Sequence, residues 1–270
     1  METIKIYLRI VVVRLQGRME YRLNFFSDLI VTAITSLVTY AGIWVMFENF
    51  TDINGWSYYE VVFLYSLNLI AGGVAGFIFY APMMEMENMI RNGNFDSMLI
   101  RPIKPFMNVI CSNFTHTHLV HVLVGVIALV NAGSQIVIQW TIRKILFFII
   151  IALGSWLIQA SLMIISGSIS FWIIKSSTVV DMMTNPRSGI RRFINFPISI
   201  YDKFIQVVLT FVIPFAFINY YPCLYLLDKQ AHELNIFYRY ATPIIGIVLF
   251  IFAYFGVWKN GIKAYQSTGS

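Results

Sequence analysis

Charge is scarce in this 270-residue sequence. Only 12% of its residues are Asp, Glu, Lys or Arg, about half the roughly 25% of a soluble domain. With 58% hydrophobic residues, a soluble chain of this length would carry more apolar surface than its core could hide. The scarcity excludes an ordinary soluble domain and predicts a multispanning membrane protein. Cysteine is nearly absent. Cys111 and Cys223 lie far apart and offer neither metal-ligand spacing nor a disulfide framework. There is no glycine loop followed by Lys and Ser or Thr, and no H-E-x-x-H, C-x-x-C or G-x-S-x-G. Acidic residues are confined to loops and span ends. Ion-coupled transporters carry ionisable groups near the bilayer midplane, so a self-powered secondary transporter is disfavoured. The N-terminus does not read as a cleavable signal, because Arg9, Arg14, Arg18 and Arg22 interrupt its apolar residues. No polar block is long enough to fold alone, so residues 1–270 are expected to form a single transmembrane domain.

What is present is a series of apolar runs. Residues 1–26 place Ile4, Tyr7, Leu8, Val11 and Leu15 on one helical face and Arg14, Arg18 and Arg22 on another. This pattern predicts a basic amphipathic helix lying at the membrane surface. Spans follow at about 28–47, 59–80, 106–130, 145–174 and 240–258, each of at least roughly the 20 residues that a bilayer core requires. The run 204–227 is apolar but interrupted by Pro214 and Pro222 around Asn219-Tyr220-Tyr221. Proline removes a backbone donor, so 214–227 is expected to be a bent or re-entrant segment packed on neighbours. The fold class expected is all-α with six transmembrane segments. With the first residues inside, 15 of the 19 Lys and Arg lie on the cytoplasmic side, and only Arg143, Lys144, Lys229 and Arg239 lie outside. The positive-inside bias puts both termini in the cytoplasm. The polar stretch 175–203 is read as a cytoplasmic loop.

Two stretches could carry function. One is the loop 83–105. Drawn as a helix, Met83, Met86, Met89 and Ile90 share one arc, with Glu85, Glu87, Asn88, Arg91 and Asn92 opposite. Gly93 suits the left-handed end of such a helix. Asp96 is expected to cap the next turn, and Pro102 and Pro105 to stop it. The expectation is a short helix lying across the membrane surface, with the methionines as an adaptable contact face. The other stretch is His116, His118 and His121. On one helix, His116 points away from His118, and no carboxylate lies nearby in sequence. Polar residues near a span end are the simpler reading than metal ligands.

The run Ile90-Arg91-Asn92-Gly93-Asn94-Phe95-Asp96-Ser97-Met98-Leu99-Ile100-Arg101-Pro102 resembles the I-x-x-G-x-[LF]-D-x-x-L-x-[RK]-P signature of permease subunits of type-2 ATP-binding-cassette (ABC) exporters, six-span bacterial branch. The segment Ile213–Pro222 and the N-terminal run Glu20–Phe25 are similar to that branch as well. The resemblance implies an export pathway in the bacterial inner (plasma) membrane, driven by a separate ATPase subunit. It implies a coupling helix over Met83, Glu85, Met86, Glu87, Met89, Ile90 and Arg91, supported by Gly93, Asp96, Arg101 and Pro102. It implies an outer re-entrant gate shaped by Pro214, Asn219 and Pro222. No catalytic or metal residue and no cofactor of this chain's own is expected, with ATP and Mg held by the partner. A second permease chain, the same or different, the lipid bilayer and an exported substrate complete the expected partners. No nucleic acid is expected. Two alternatives stay open: a membrane-embedded metalloenzyme using His116, His118 and His121, and a non-transporting scaffold or immunity-type membrane protein.

Overall fold

A computed structural model of the protein describes residues 12–13, 17, 22–173, 176–185, 189–229 and 236–266. Most of the amphipathic helix expected over 1–26 lies outside these residues. The described residues form helices and no strand, apart from an isolated bridge between Ile53 and Trp56. In chain order the helices are α1 (Arg22–Asn49), α2 (Tyr58–Arg91), α3 (Asn94–Leu99), α4 (Pro105–Ile110), α5 (His118–Gln135), α6 (Ile142–Ser168) and α7 (Ser177–Thr184). Then come α8 (Lys203–Val207), α9 (Tyr220–Leu226), α10 (Ile236–Ile251) and α11 (Lys259–Ala264). A π-helical stretch, Phe252–Trp258, joins the last two into one rod. Five helices are long and apolar enough to cross a bilayer: α1, α2, α5, α6 and the α10–α11 rod. The protein is an all-α membrane protein.

α2 is the axis. Every residue from Val61 to Leu69 is buried, and a helix that is apolar all round belongs inside a bundle. α5 and α6 pack along it. α1 touches the bundle through Thr32, Ser36 and Ile43 and leaves Ile34, Leu37 and Val38 exposed, as a lipid-facing helix does. α2 starts where the Glu60 carboxylate accepts from the Ser57 backbone N–H at 2.8 Å, one half of a capping box. Its 34 residues span about 50 Å, against a bilayer core of roughly 30 Å. The sequence reading ends this span at Tyr80, just before Ala81-Pro82. The helix instead runs on through Pro82, which is buried inside it. Packed neighbours make an interior proline tolerable in a membrane helix. The expected separate surface helix is thus the projecting tip of α2.

α2 also serves as a ruler for the rest of the chain. At its Arg91 end, Glu87 binds the backbone of Ser177. Nearer its middle, Gly72 abuts the Arg191 side chain, and Asn68 donates to Asn195 at 3.0 Å. Beyond its Tyr58 end, Asn54 donates to the Ser199 carbonyl at 2.6 Å. Residues 177–185 and 189–199 therefore run antiparallel to α2 from one end of the bundle to the other, the first as α7 and the second as 3-10 turns. This corrects the reading of 175–203 as a cytoplasmic loop. The polarity that suggested a loop belongs to a partly buried segment: Thr184, Arg191 and Asn195 are buried against the bundle, while Arg192 is exposed. Lys175 and Arg187 lie outside the described residues. Lys203 stands at the Tyr58 end, while the basic residues Arg91, Arg101 and Lys104 stay at the opposite end.

Residues 203–229 begin beside Ser199 and bend by 77° at Ile213-Pro214. At their deepest, Asn219 donates to the carbonyls of Ile194 at 2.7 Å and Leu64 at 3.3 Å. Ser155 donates to the Ile218 carbonyl at 2.6 Å. They then return: Lys144 Nζ donates to the Leu226 carbonyl and to Asp228, and Lys229 pairs with Glu60 at 2.9 Å. The segment enters and leaves at the Tyr58 end. The apolar spans are α1, α2, α5, α6 and the α10–α11 rod, and the segment from Ser177 to Ser199 runs beside α2 among them.

Candidate functional site

The tip of α2 is built by what packs around it. Met83, Met86 and Met89 are all buried. They lie against Phe95, Val109, Met163, Ile164 and Trp258 in the second of two apolar clusters. Gly167 lets α6 press against Met83 so closely that a Cβ there would stand 2.6 Å from the methionine. The sequence reading offers these methionines as a contact face for a partner. The fold turns them inward, because the tip is flanked by the ends of α6 and the α10–α11 rod rather than by lipid alone.

The polar side of the tip divides into two parts. Glu87 is buried, and its Oε2 accepts from the backbone N–H groups of Ser177 at 2.8 Å and Ser176 at 2.9 Å. These are orphan donors at the start of α7. Arg91, itself exposed, lies 3.9 Å from the other carboxylate oxygen and donates to Asn88 at 2.7 Å. Glu85 accepts from Asn113 at 2.5 Å, which ties the tip to the segment leading into α5. Asn88 and Arg91 are exposed, and Ile90 is half-buried.

Gly93 adopts φ 69°, the left-handed conformation that glycine reaches without steric cost. It ends α2 and at once begins α3. Asp96 therefore falls within the first turn of α3 and does not cap the turn after it. Its carboxylate accepts from the Tyr265 hydroxyl at 3.0 Å. Burial, with this hydrogen bond and the adjacent carboxylate charge, pushes the Tyr265 phenol up to about 12, so it stays a donor. Phe95 is fully buried, with its ring centroid 5.3 Å from Phe171 and 5.1 Å from Tyr265. The aromatic position of the Gly93–Pro102 motif is thus an anchor holding α3 to the ends of α6 and α11. Beyond it the chain surfaces. Ile100 is 86% exposed, and Arg101, Pro102, Ile103 and Lys104 are exposed beside it. Two grooves flank the tip. One, of about 470 Å³, is lined by Glu85, Asn88, Asn94, Ser97, Met98 and Arg101, among others. The other, of about 300 Å³, includes Glu87, Arg91, Phe171, Trp172 and Tyr265.

At the far end, Pro214 marks the bend of the 203–229 hairpin, Asn219 lies at its depth, and Pro222 is buried within α9. The three histidines do not form one cluster, although the His118 and His121 rings meet edge to face at 5.4 Å. His116 precedes α5 and stacks on Phe25 at 4.5 Å. His118 lies against Gly76 of α2. His121 Nδ1 lies 2.9 Å from Ser36 Oγ. Among the described residues no group of three His, Cys, Asp or Glu could hold a metal ion.

Several residues that matter here were not singled out from the sequence. Tyr265, Ser176 and Ser177 gave no signal, because their roles are set by distant chain. Asn68 and Gln159 gave one, since an amide in mid-span demands a partner. They find each other, with Gln159 Nε2 donating to Asn68 Oδ1 at 3.0 Å.

Residues 31–269 match the model of the ABC-2 family transporter proteins. The chain belongs to that family. No curated protein and no solved structure matches it. The matched range of this ABC-2 family protein begins inside α1 and takes in the α2 tip, the 177–199 segment and the 203–229 hairpin.

Proposed function

We propose that this ABC-2 family protein is the permease subunit of an ABC exporter, driven by a separate ATPase that docks on the Asn88–Lys104 surface. The observation that carries the reading is the continuity of α2. One helix forms both the axis of the bundle and the projecting tip, so a push on the tip acts on the whole bundle. The earlier assignment of Met83–Arg91 as the coupling surface is narrowed accordingly. Asn88 and Arg91 remain available, while the methionines, Glu85 and Glu87 fasten the tip to the rest of the chain. Ile100 offers an apolar knob close in sequence to the positive charges of Arg101 and Lys104, a form suited to an apolar socket with an acidic rim. Gly93, Asp96 and Pro102 set its direction.

In this reading the Arg91 end faces the cytoplasm, both chain ends lie there, and the membrane is the bacterial inner (plasma) membrane. ATP and Mg belong to the partner ATPase, and this chain supplies no catalytic group. A second permease chain, the same or different, completes the pathway. The hairpin carrying Pro214, Asn219 and Pro222 closes it on the outer side.

The test pairs Ile100→Asp with Arg101→Glu. Both side chains are exposed, so the double variant should keep its thermal midpoint. It should lose ATPase association in mild detergent by about tenfold or more, the equivalent of about 1.4 kcal/mol. Undiminished association would overturn the docking surface, and purification with no ATPase at all would overturn the permease reading.

A further inference from the structure

Within the bundle, one face of α2 is cut away at Gly72 and Gly76, and two side chains occupy the space. A Cβ on Gly72 would collide with the Arg191 guanidinium, and one on Gly76 with the His118 imidazole. Residues four apart share a helix face, so Arg191 and His118 sit one turn from each other. Arg191 is 4% exposed and His118 is 6% exposed.

Neither side chain is fully used. Arg191 Nη1 donates to the Thr184 carbonyl at 2.6 Å, closing the C-terminal end of α7. Its Nε has no hydrogen-bond partner, and no carboxylate among the described residues pairs with it. His118 Nδ1 has no partner either. A guanidinium has five N–H donors. Buried in a membrane protein with no counter-charge, it is costly to keep. A helix C-terminus offers partial negative charge, but it takes only one edge of the group.

Against His118, one turn from Arg191, lies a cavity of about 170 Å³ lined by Thr32, Tyr80, Thr117, His118, His121 and Asn185, among others, but not by Arg191 itself. Its walls come from α1, α2, the start of α5 and the 177–199 segment. At about 30 Å³ for each water in the liquid, it has room for a carboxylate or phosphate group.

We infer that this cavity binds an anionic group, a phosphate or carboxylate, carried by the transported compound, with His118 in its wall and the Arg191 guanidinium one turn behind supplying positive charge. The inference rests on the permease reading for the word transported, and on the buried pair and its cavity for the binding. An ionisable residue at membrane depth marks a pathway by default, and an uncompensated cation in a poorly solvated interior draws an anion to the space beside it. The anion supplies the missing counter-charge.

The test uses the full chain purified in neutral dodecyl maltoside. Thermal midpoints are read against dodecyl phosphate, inorganic phosphate and, as the charge-reversed control, dodecyltrimethylammonium. Dodecyl phosphate should raise the midpoint by about 5 °C near saturation, and the cationic amphiphile should not. An equal response to inorganic phosphate would mark a small soluble anion, and a response that needs the alkyl chain would mark an amphiphile. Arg191→Gln keeps a donor for Thr184 and should weaken the apparent affinity about tenfold or more. Arg191→Lys should keep most of it. Where Arg191→Gln does not fold, Gly72→Ala displaces the guanidinium without removing it and should weaken binding in the same way. An Arg191→Gln or Gly72→Ala protein that responds as the wild type does, or a wild type that responds equally to both amphiphiles, overturns the inference. ATPase association is measured separately on the same preparations. Its loss with the phosphate response intact would count against the permease reading alone.

Discussion

The carboxylate of Glu87, on the projecting tip of α2, accepts the backbone N–H of Ser177 at 2.8 Å. Ninety positions apart in sequence, the two join the segment after the second span to the beginning of the 177–199 segment. Glu87→Ala should leave the N–H groups of Ser176 and Ser177 without an acceptor and cost about 1–3 kcal/mol. Glu87→Gln keeps one carbonyl oxygen in place and should cost less. Thermal unfolding in detergent ranks the two. Equal midpoints for Glu87→Ala and wild type would show that the link contributes nothing.

Gly93→Ala should destabilise by about 1–2 kcal/mol, because an L side chain resists the left-handed conformation. The expected signature is wider than a fall in midpoint. α3 should swing from its seat and ATPase association should fall. Gly93→Asn, which tolerates that conformation better, should restore part of both. No difference between the two variants would mean that the backbone angle is unimportant.

Phe95→Ala should be the most damaging change in the tip, at about 3–5 kcal/mol for an emptied aromatic site. Phe95→Leu should cost much less. Their order in chemical denaturation or heat tests whether the aromatic anchor, rather than the exposed Arg101-Pro102 pair, holds α3 in place.

Cysteine labelling tests the course of the 177–199 segment. With Cys111 and Cys223 replaced, Ser177→Cys and Lys203→Cys should react from opposite sides of the membrane with a reagent that cannot cross it. Reaction of both from the same side would restore 175–203 as a loop.

Much of this was legible in the sequence and the rest was not, for identifiable reasons. The helical spans are readable because lipid imposes length and apolarity on them. Gly93 is readable because few residues accept its backbone angle. The segment at 177–199 was not readable, because Arg191, Asn195 and Thr184 look like loop residues until their buried partners are known. The length of α2 was misjudged at Tyr80, because a span was cut to the thickness of a bilayer while packing against α6 at Met83 carries the helix on. The methionine arc was placed on the right helix face, but its partners, among them Trp258 and Met163, come from later spans that periodicity cannot name.

The unbroken length of α2 has a mechanical consequence. Gly72 and Gly76 lie near its midpoint, where the rod is gripped most closely by its neighbours. A stiff rod pivoting there behaves as a seesaw. A sideways step of about 2 Å at Arg91, the scale of ordinary helix shifts, reappears at Tyr58 with its direction reversed. Glu60 stands at that far end paired with Lys229, so a rod pivoting in this way would carry its displacement to the hairpin.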